Sequence, residues 1–176
     1  ALRHSARPRR FVTVTGMGGI GKTAAALESA WWHRERGYYP DGVYWAPAKG
    51  VPTYALLLSA MGTALDLADF STLTPDRQEQ MLLGLLHQRR LLLVVDNADT
   101  LREDEGFRGF LGKLDPDGAG CLLLTSRREM GVDGEAVVAL GRLSLSAAAA
   151  LFVFLWGVQN ASQEQLNDAT AICRRG

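Results

Sequence analysis

Apolar residues along the 176-residue chain fall into short runs that alternate with longer, helix-prone stretches. FVTVT at 11–15 is the first run, and its branched residues predict a strand. Gly16 to Gly21 follow as a loop. From Lys22 to about Arg36 the residues favour helix, with Gly37 as the stop. VYWAPA at 43–48 predicts a second strand that Pro47 ends or confines to an edge. A helical region covers 54–68, and Thr74-Pro75-Asp76 opens another that runs to about Gln88, with Thr74 as cap and Pro75 in the first turn. LLLVVD at 91–96 is apolar without a break, as a central strand buried on both faces requires. A short helix over 106–114, the turn-rich DPDGAG, a strand CLLLTS at 121–126 and a shorter one, AVVAL, at 136–140 come next. Two helices, about 146–156 and 162–174, complete the chain. Strands alternating with helices predict an α/β fold around a parallel sheet of five strands.

Composition changes this picture little. Hydrophobic residues are 47% and charged residues 22%, ordinary for one globular domain, and the net charge is zero. The bulk electrostatics of a nucleic-acid binder are absent, so no direct nucleic-acid contact is expected. The one basic cluster, ALRHSARPRR at 1–10, reads as a linker rather than a phosphate-binding arm. No apolar run approaches the roughly 18 residues that span a bilayer, and no apolar core follows the basic start as in a signal peptide. Two cysteines, Cys121 and Cys173, are too few for a disulfide scaffold, so a cytoplasmic setting and no membrane partner are expected. His4, His33 and His87 are scattered, without neighbours at zinc-ligand spacing. Trp31, Trp32, Tyr38 and Tyr39 read as packing at the end of the first helix, not as a binding platform.

The chemistry concentrates in GMGGIGKT at 16–23, which satisfies two rules at once. Gly16, Gly18 and Gly21 spell the dinucleotide fingerprint G-x-G-x-x-G. Gly16, Gly21, Lys22 and Thr23 spell the Walker A phosphate loop. A dinucleotide site needs an acid about 20 residues on, at the tip of the second strand, for the ribose hydroxyls. That tip offers Ala48, Lys49 and Gly50. A phosphate loop needs backbone N–H groups to cradle phosphate, a lysine for its charge and a hydroxyl for Mg²⁺, and Lys22-Thr23 supply the last two. The loop is therefore read as a phosphate cradle, made by Gly16, Gly18, Gly19, Ile20, Gly21, Lys22, Thr23 and Ala24. RLLLVVDNAD delivers Asp96 to a strand end as the second magnesium group, beside Thr23. In CLLLTSRRE another buried strand ends in Thr125-Ser126-Arg127, which brings polar and cationic groups to the same edge, and the Arg127 fork matches phosphate oxygens.

The blocks GMGGIGKT, LLLVVDN and LLLTSR, in this order and with LGRLSLSAAAALF at 140–152, resemble the NB-ARC nucleotide-binding module. That module belongs to the signal-transduction ATPases with numerous domains (STAND). The resemblance covers about residues 11–176. It implies a three-layer P-loop NTPase fold, a parallel sheet of order 5-1-4-3-2 and helices on both faces. The nucleotide-binding core is then 11–145, and 146–176 are trailing helices leading to a next subdomain. It implies ATP or ADP with Mg²⁺, catalytic roles for Lys22 and Asp96, and Arg127 as the γ-phosphate sensor. Its partners are other domains of the same polypeptide, namely an effector, a winged helix and sensor repeats, with a nucleotide-dependent homo-oligomer as a further expectation. In the family a Gly-x-Pro segment and a winged-helix histidine close over ADP, and Gly176 corresponds to that glycine.

One departure matters. Many relatives carry a second acid after the Walker B Asp, where this chain has Asn97. An amide cannot take a proton from attacking water, so hydrolysis is expected to be slow unless Asp99 substitutes as the catalytic acid–base group. The reading is a regulatory switch with slow, Mg-dependent ATP hydrolysis. The alternatives are a turnover ATPase or kinase, and a nucleotide-gated oligomerisation module without hydrolysis.

Overall fold

A computed structural model describes residues 11–155 and 162–174. The basic segment 1–10, Trp156 and Gly176 lie outside the described residues. The chain divides into two compact units, 1–140 and 141–176.

The first unit is built on five strands: β1 (Phe11–Thr15), β2 (Val43–Pro47), β3 (Leu92–Asp96), β4 (Cys121–Ser126) and β5 (Glu135–Ala139). They lie in the order β2-β3-β4-β1-β5, every pairing parallel, which is the order 5-1-4-3-2 read from the opposite edge. The apolar run of β3 behaves as a strand with two buried faces. Leu92 and Val94 join Val14, Leu123, Ala26 and Ala30 beneath α1 (Lys22–Glu35). Leu93 and Val95 point the other way, into the larger cluster with Leu122 and Leu124. That cluster is covered by α2 (Tyr54–Ala64), α3 (Pro75–Gln88) and α4 (Glu105–Gly112), giving three layers. β2 is the edge strand next to β3, where Pro47, lacking an N–H, is tolerated.

α2 is shorter than the 54–68 expected. Asp66 turns left-handed (φ 51°), Asp66 N donates to Thr63 O at 3.1 Å and Leu67 N to Gly62 O at 3.1 Å, a Schellman stop with aspartate in the usual glycine place. Leu67 and Phe70 then fold back on the helix instead of extending it. A Cβ at Gly62 would lie 2.1 Å from the Phe70 ring, so the helix is notched for that phenyl group. α3 starts at Pro75 as expected, but the Thr74 hydroxyl makes no capping bond. Asp104 and Glu105 supply the start of α4. Asp104 accepts from Phe107 N at 3.0 Å through one oxygen and from Tyr54 N at 3.1 Å through the other, so one carboxylate serves the first turns of α4 and α2.

Tyr54 also donates its phenol to Glu79 at 2.7 Å, and Glu79 is ion-paired with Lys113. Burial pushes the Tyr54 phenol well above its ordinary value, and the Glu79 carboxylate adds to the effect.

The second unit packs α5 (Leu145–Leu155) on α6 (Gln163–Cys173) through Ala149, Val153 and Ala169. Ser162 and Gln165 form a capping box at the start of α6. Among the described residues no helix is long and apolar enough to cross a membrane.

Candidate functional site

Because the sheet is parallel, all five strands end at the same edge, and the loops there come within reach of one another. Residues 16–21 connect β1 to α1. Gly16 has φ 151°, and a Cβ on it would stand 2.9 Å from both the Leu140 carbonyl oxygen and Ile20 Cγ2. Leu140 is held there because its N–H donates to Thr15 O at 2.8 Å. Gly21, the residue before α1, has φ 102°. These two positions require glycine, one for space and one for conformation. Gly18 has no such need: a Cβ there would meet only Arg127 Nη2, at 3.9 Å. The backbone thus demands the glycine pair of the phosphate loop, and not the middle glycine of the dinucleotide fingerprint.

The first bond of the α1 ladder runs from Ala25 N to Gly21 O at 2.8 Å. The N–H groups of Lys22, Thr23 and Ala24 precede that ladder and emerge at the positive end of the helix dipole. Lys22 bends back, its Nζ donating to Gly16 O at 2.9 Å and Met17 O at 3.0 Å. The ammonium therefore stands over the loop whose amides surround it, which is the chemistry a polyphosphate needs.

Asp96 ends β3 beside α1. Its Oδ1 accepts from Thr23 Oγ1 at 2.8 Å and from Thr125 Oγ1 at 2.6 Å. Thr125 is buried in β4, and its hydroxyl also accepts from Asn97 N at 2.7 Å. Thr125 thus sits under the carboxylate and fixes it while bracing the turn that follows. The pairing of Thr23 and Asp96 sets hard oxygens side by side, which suits a divalent cation that keeps waters and phosphate oxygens in its shell. Asn97 itself is left-handed (φ 67°), a conformation that Asn adopts more readily than most residues.

Arg127 follows β4. Its backbone N–H donates to Asp99 Oδ1 at 2.6 Å, and Ser126 Oγ donates to the same oxygen at 3.2 Å. Asp99 is thereby turned to the backbone of the β4 tip. It does not line the cleft, whereas Asn97 does. The Arg127 guanidinium lies above Gly18.

The cleft enclosed by these elements measures about 810 Å³ and is lined by Gly18, Gly19, Gly21, Lys22, Thr23, Ala24, Leu27, Lys49, Asp96, Asn97, Thr125 and Arg127. Three cations face a single carboxylate, so the cleft favours a polyanion. The structure brings together Lys22, Thr23, Asp96 and Arg127 as the motifs suggested. Gly16 and Ile20 shape the loop without lining the cleft. Three lining residues lie outside the motifs: Leu27, an ordinary apolar position of α1, Thr125, whose hydroxyl in the strand end CLLLTS is the available sequence signal, and Lys49, which the sequence marks only as not an acid.

At the end of α1 Trp31, Trp32 and Tyr38 form an exposed rim, while Tyr39 packs against the cluster beneath the helix. Trp32 stacks on Tyr38 with centroids 5.4 Å apart, and the Arg36 guanidinium lies 4.2 Å from the Trp32 ring centroid.

Comparison with known proteins agrees with this geometry. Residues 4–125 match the family model described as the AAA domain. A nucleotide-binding leucine-rich repeat (NLR)-like protein of Hyaloscypha variabilis is 35% identical over 98 residues, covering 51% of this chain and 9% of its own length. An uncharacterized WD repeat-containing protein of Nostoc is 27% identical over 139 residues, 68% of this chain and 11% of its own. The chain thus spans about a tenth of these relatives. Among solved structures, a STAND protein with a tetratricopeptide repeat sensor from Pyrococcus horikoshii superposes with a TM-score of 0.67 at 16% identity, covering 94% of this chain and 25% of that one. The order of the sheet, the glycine pair and these matches lead to one assignment: the chain belongs to the AAA domain family, with the fold of a P-loop NTPase.

Proposed function

We propose that this chain is the regulatory nucleotide switch of a larger signalling protein, binding ATP or ADP with Mg²⁺ and hydrolysing ATP slowly. The observation that carries the reading is the convergence of Lys22, Thr23, Asp96 and Arg127 at one cleft above the first turn of α1. Gly16 to Gly21 and the N–H groups of Lys22, Thr23 and Ala24 hold the phosphates. Lys22 neutralises their charge, and Thr23 and Asp96 hold the magnesium shell. Bound Mg²⁺ supplies charge neutralisation at the phosphate oxygens.

Arg127 is the group that distinguishes a triphosphate from a diphosphate, since its guanidinium reaches over the loop from the β4 tip. Asp99 acts through it, holding the Arg127 backbone in place. Asn97 lines the cleft where a carboxylate would serve as base, and its amide cannot accept a proton there. Slow hydrolysis follows, and slow hydrolysis suits a switch. The repeats named in the relatives support partners within one polypeptide, a sensor array and an effector whose arrangement changes with the nucleotide. A cytoplasmic location accords with that role.

Lys22→Ala tests the reading directly. Calorimetry should show loss of ATP and ADP binding, and unchanged affinity would remove the phosphate-loop assignment. Single-turnover hydrolysis by the wild-type chain should lie far below the roughly 1–100 s⁻¹ of kinases. Rapid turnover would favour an enzyme over a switch.

A further inference from the structure

We infer that Lys49 is a third phosphate-binding cation of this cleft, one that favours nucleoside triphosphate over diphosphate. The inference rests on the nucleotide-switch reading and adds to it a residue that the Walker motifs do not contain.

Lys49 leaves the tip of β2 on a turn fixed at several points. Pro47 stands in register with Asp96, and Ala48 N donates to Asp96 O at 2.8 Å, which carries the pairing one residue past the strand. Ala48 is fully buried. Gly50 then takes φ 76°, Val51 N closes the turn on Ala48 O at 3.1 Å, and Thr100 Oγ1 donates to Val51 O at 2.8 Å. The turn is therefore held to the backbone of Asp96 on one side and to the helical turn after Asn97 on the other. From this base Lys49 lines the same cleft as Lys22 and Arg127.

Charge decides what Lys49 does there. Among the described residues its ammonium has no hydrogen bond or ion pair. Asp96, the single carboxylate of the cleft, already accepts from two hydroxyls on Oδ1. Lys22 is folded over the loop at the first turn of α1. Lys49 and Arg127 instead come from the strands on either side of β3, so they flank Asp96 in strand order. A diphosphate satisfied by the loop and Lys22 leaves both flanking cations without a partner. The further negative charge of a triphosphate is what they are placed to meet. The two cations differ in kind: Arg127 presents a rigid fork from a braced backbone, whereas Lys49 is a point charge on a flexible stem.

The test is calorimetry on the chain with Mg²⁺, using ADP and the non-hydrolysable β,γ-imido analogue of ATP at low and at moderate salt. Lys49→Gln should weaken the triphosphate analogue about tenfold, leave ADP within about twofold, and flatten the salt dependence of analogue binding. Lys49→Arg should restore most of the loss. Lys49 is exposed, so the unliganded thermal midpoint of each variant should match the wild type. Equal loss for both nucleotides, or none for either, overturns the inference. If the wild type binds both nucleotides and Lys22→Ala abolishes binding, either outcome removes Lys49 alone. A wild type that binds neither nucleotide removes the switch reading and this inference together.

Discussion

Replacing Thr125 by valine is the sharpest test of how the cleft is built. The two side chains have nearly the same shape, so the change removes a hydroxyl without opening a cavity. In the folded chain that hydroxyl donates to Asp96 Oδ1 at 2.6 Å and accepts from Asn97 N at 2.7 Å, at a residue only 1% exposed. Losing a hydrogen bond to a charged group costs about 1.5–3 kcal/mol, and an N–H left unsatisfied costs about 1–3 kcal/mol. Two effects reduce that sum. Asp96 keeps its bond from Thr23, and the added methyl gains about 0.8 kcal/mol of burial. A net loss of about 2–3 kcal/mol remains. For a chain of this size it lowers the thermal midpoint by roughly 4–12 °C. Urea unfolding followed by fluorescence reads it out, since Trp31, Trp32 and Trp45 all lie in the unit that holds the sheet. The slope of the transition should stay constant while its midpoint falls. Thr125→Ser provides the control. It keeps the hydroxyl, loses one buried methyl and should cost about 1 kcal/mol. If valine proves no worse than serine, the hydroxyl does not brace Asp96, and the account of how β3 and β4 present that carboxylate to the cleft is wrong.

Two other outcomes follow from the geometry. Gly16→Ala should abolish nucleotide binding or folded expression, because its Cβ meets the Leu140 carbonyl oxygen, whereas Gly18→Ala should fold with an unchanged melting midpoint. Equal tolerance at the two positions would show that the loop is not held as described. Tyr54→Phe should cost about 1 kcal/mol at neutral pH, the worth of its bond to Glu79. With the folded-state phenol raised and the unfolded value near 10, the wild type should lose stability more steeply than the variant as pH rises above 10. Parallel alkaline denaturation curves for the two proteins would contradict the buried phenol.

The parts of the fold legible in the sequence are those encoded by local runs. Uninterrupted apolar stretches mark β3 and β4 because both faces of those strands are buried, Leu92, Val94 and Leu123 in one cluster and Leu93, Val95, Leu122 and Leu124 in the other. Gly16, Gly21, Lys22 and Thr23 were legible because a phosphate loop draws its groups from one short segment. What the sequence hid depends on distant pairs. The bond between Thr125 and Asp96 joins residues 29 apart, and the turn at Lys49 is held by Asp96 and Thr100. The end of α2 is masked in the sequence because Leu65 and Leu67 continue an apolar pattern. The stop comes from an aspartate in a left-handed conformation, which composition does not announce. The spacing of Asp99 after Asp96 suits a base, and only the fold shows its carboxylate on the Arg127 backbone.

The carboxylate of Asp104 has a mechanical consequence. The chain leaves the cleft at Asn97, passes through one tight helical turn (Ala98–Leu101) and within three residues reaches the side chain that holds both Tyr54 N and Phe107 N. A displacement of that turn that reaches Asp104 either carries the starts of α2 and α4 with it or breaks one of the two bonds that join them. The sheet edge is therefore geared to two helices on one face, and the shared aspartate is the tooth that meshes them.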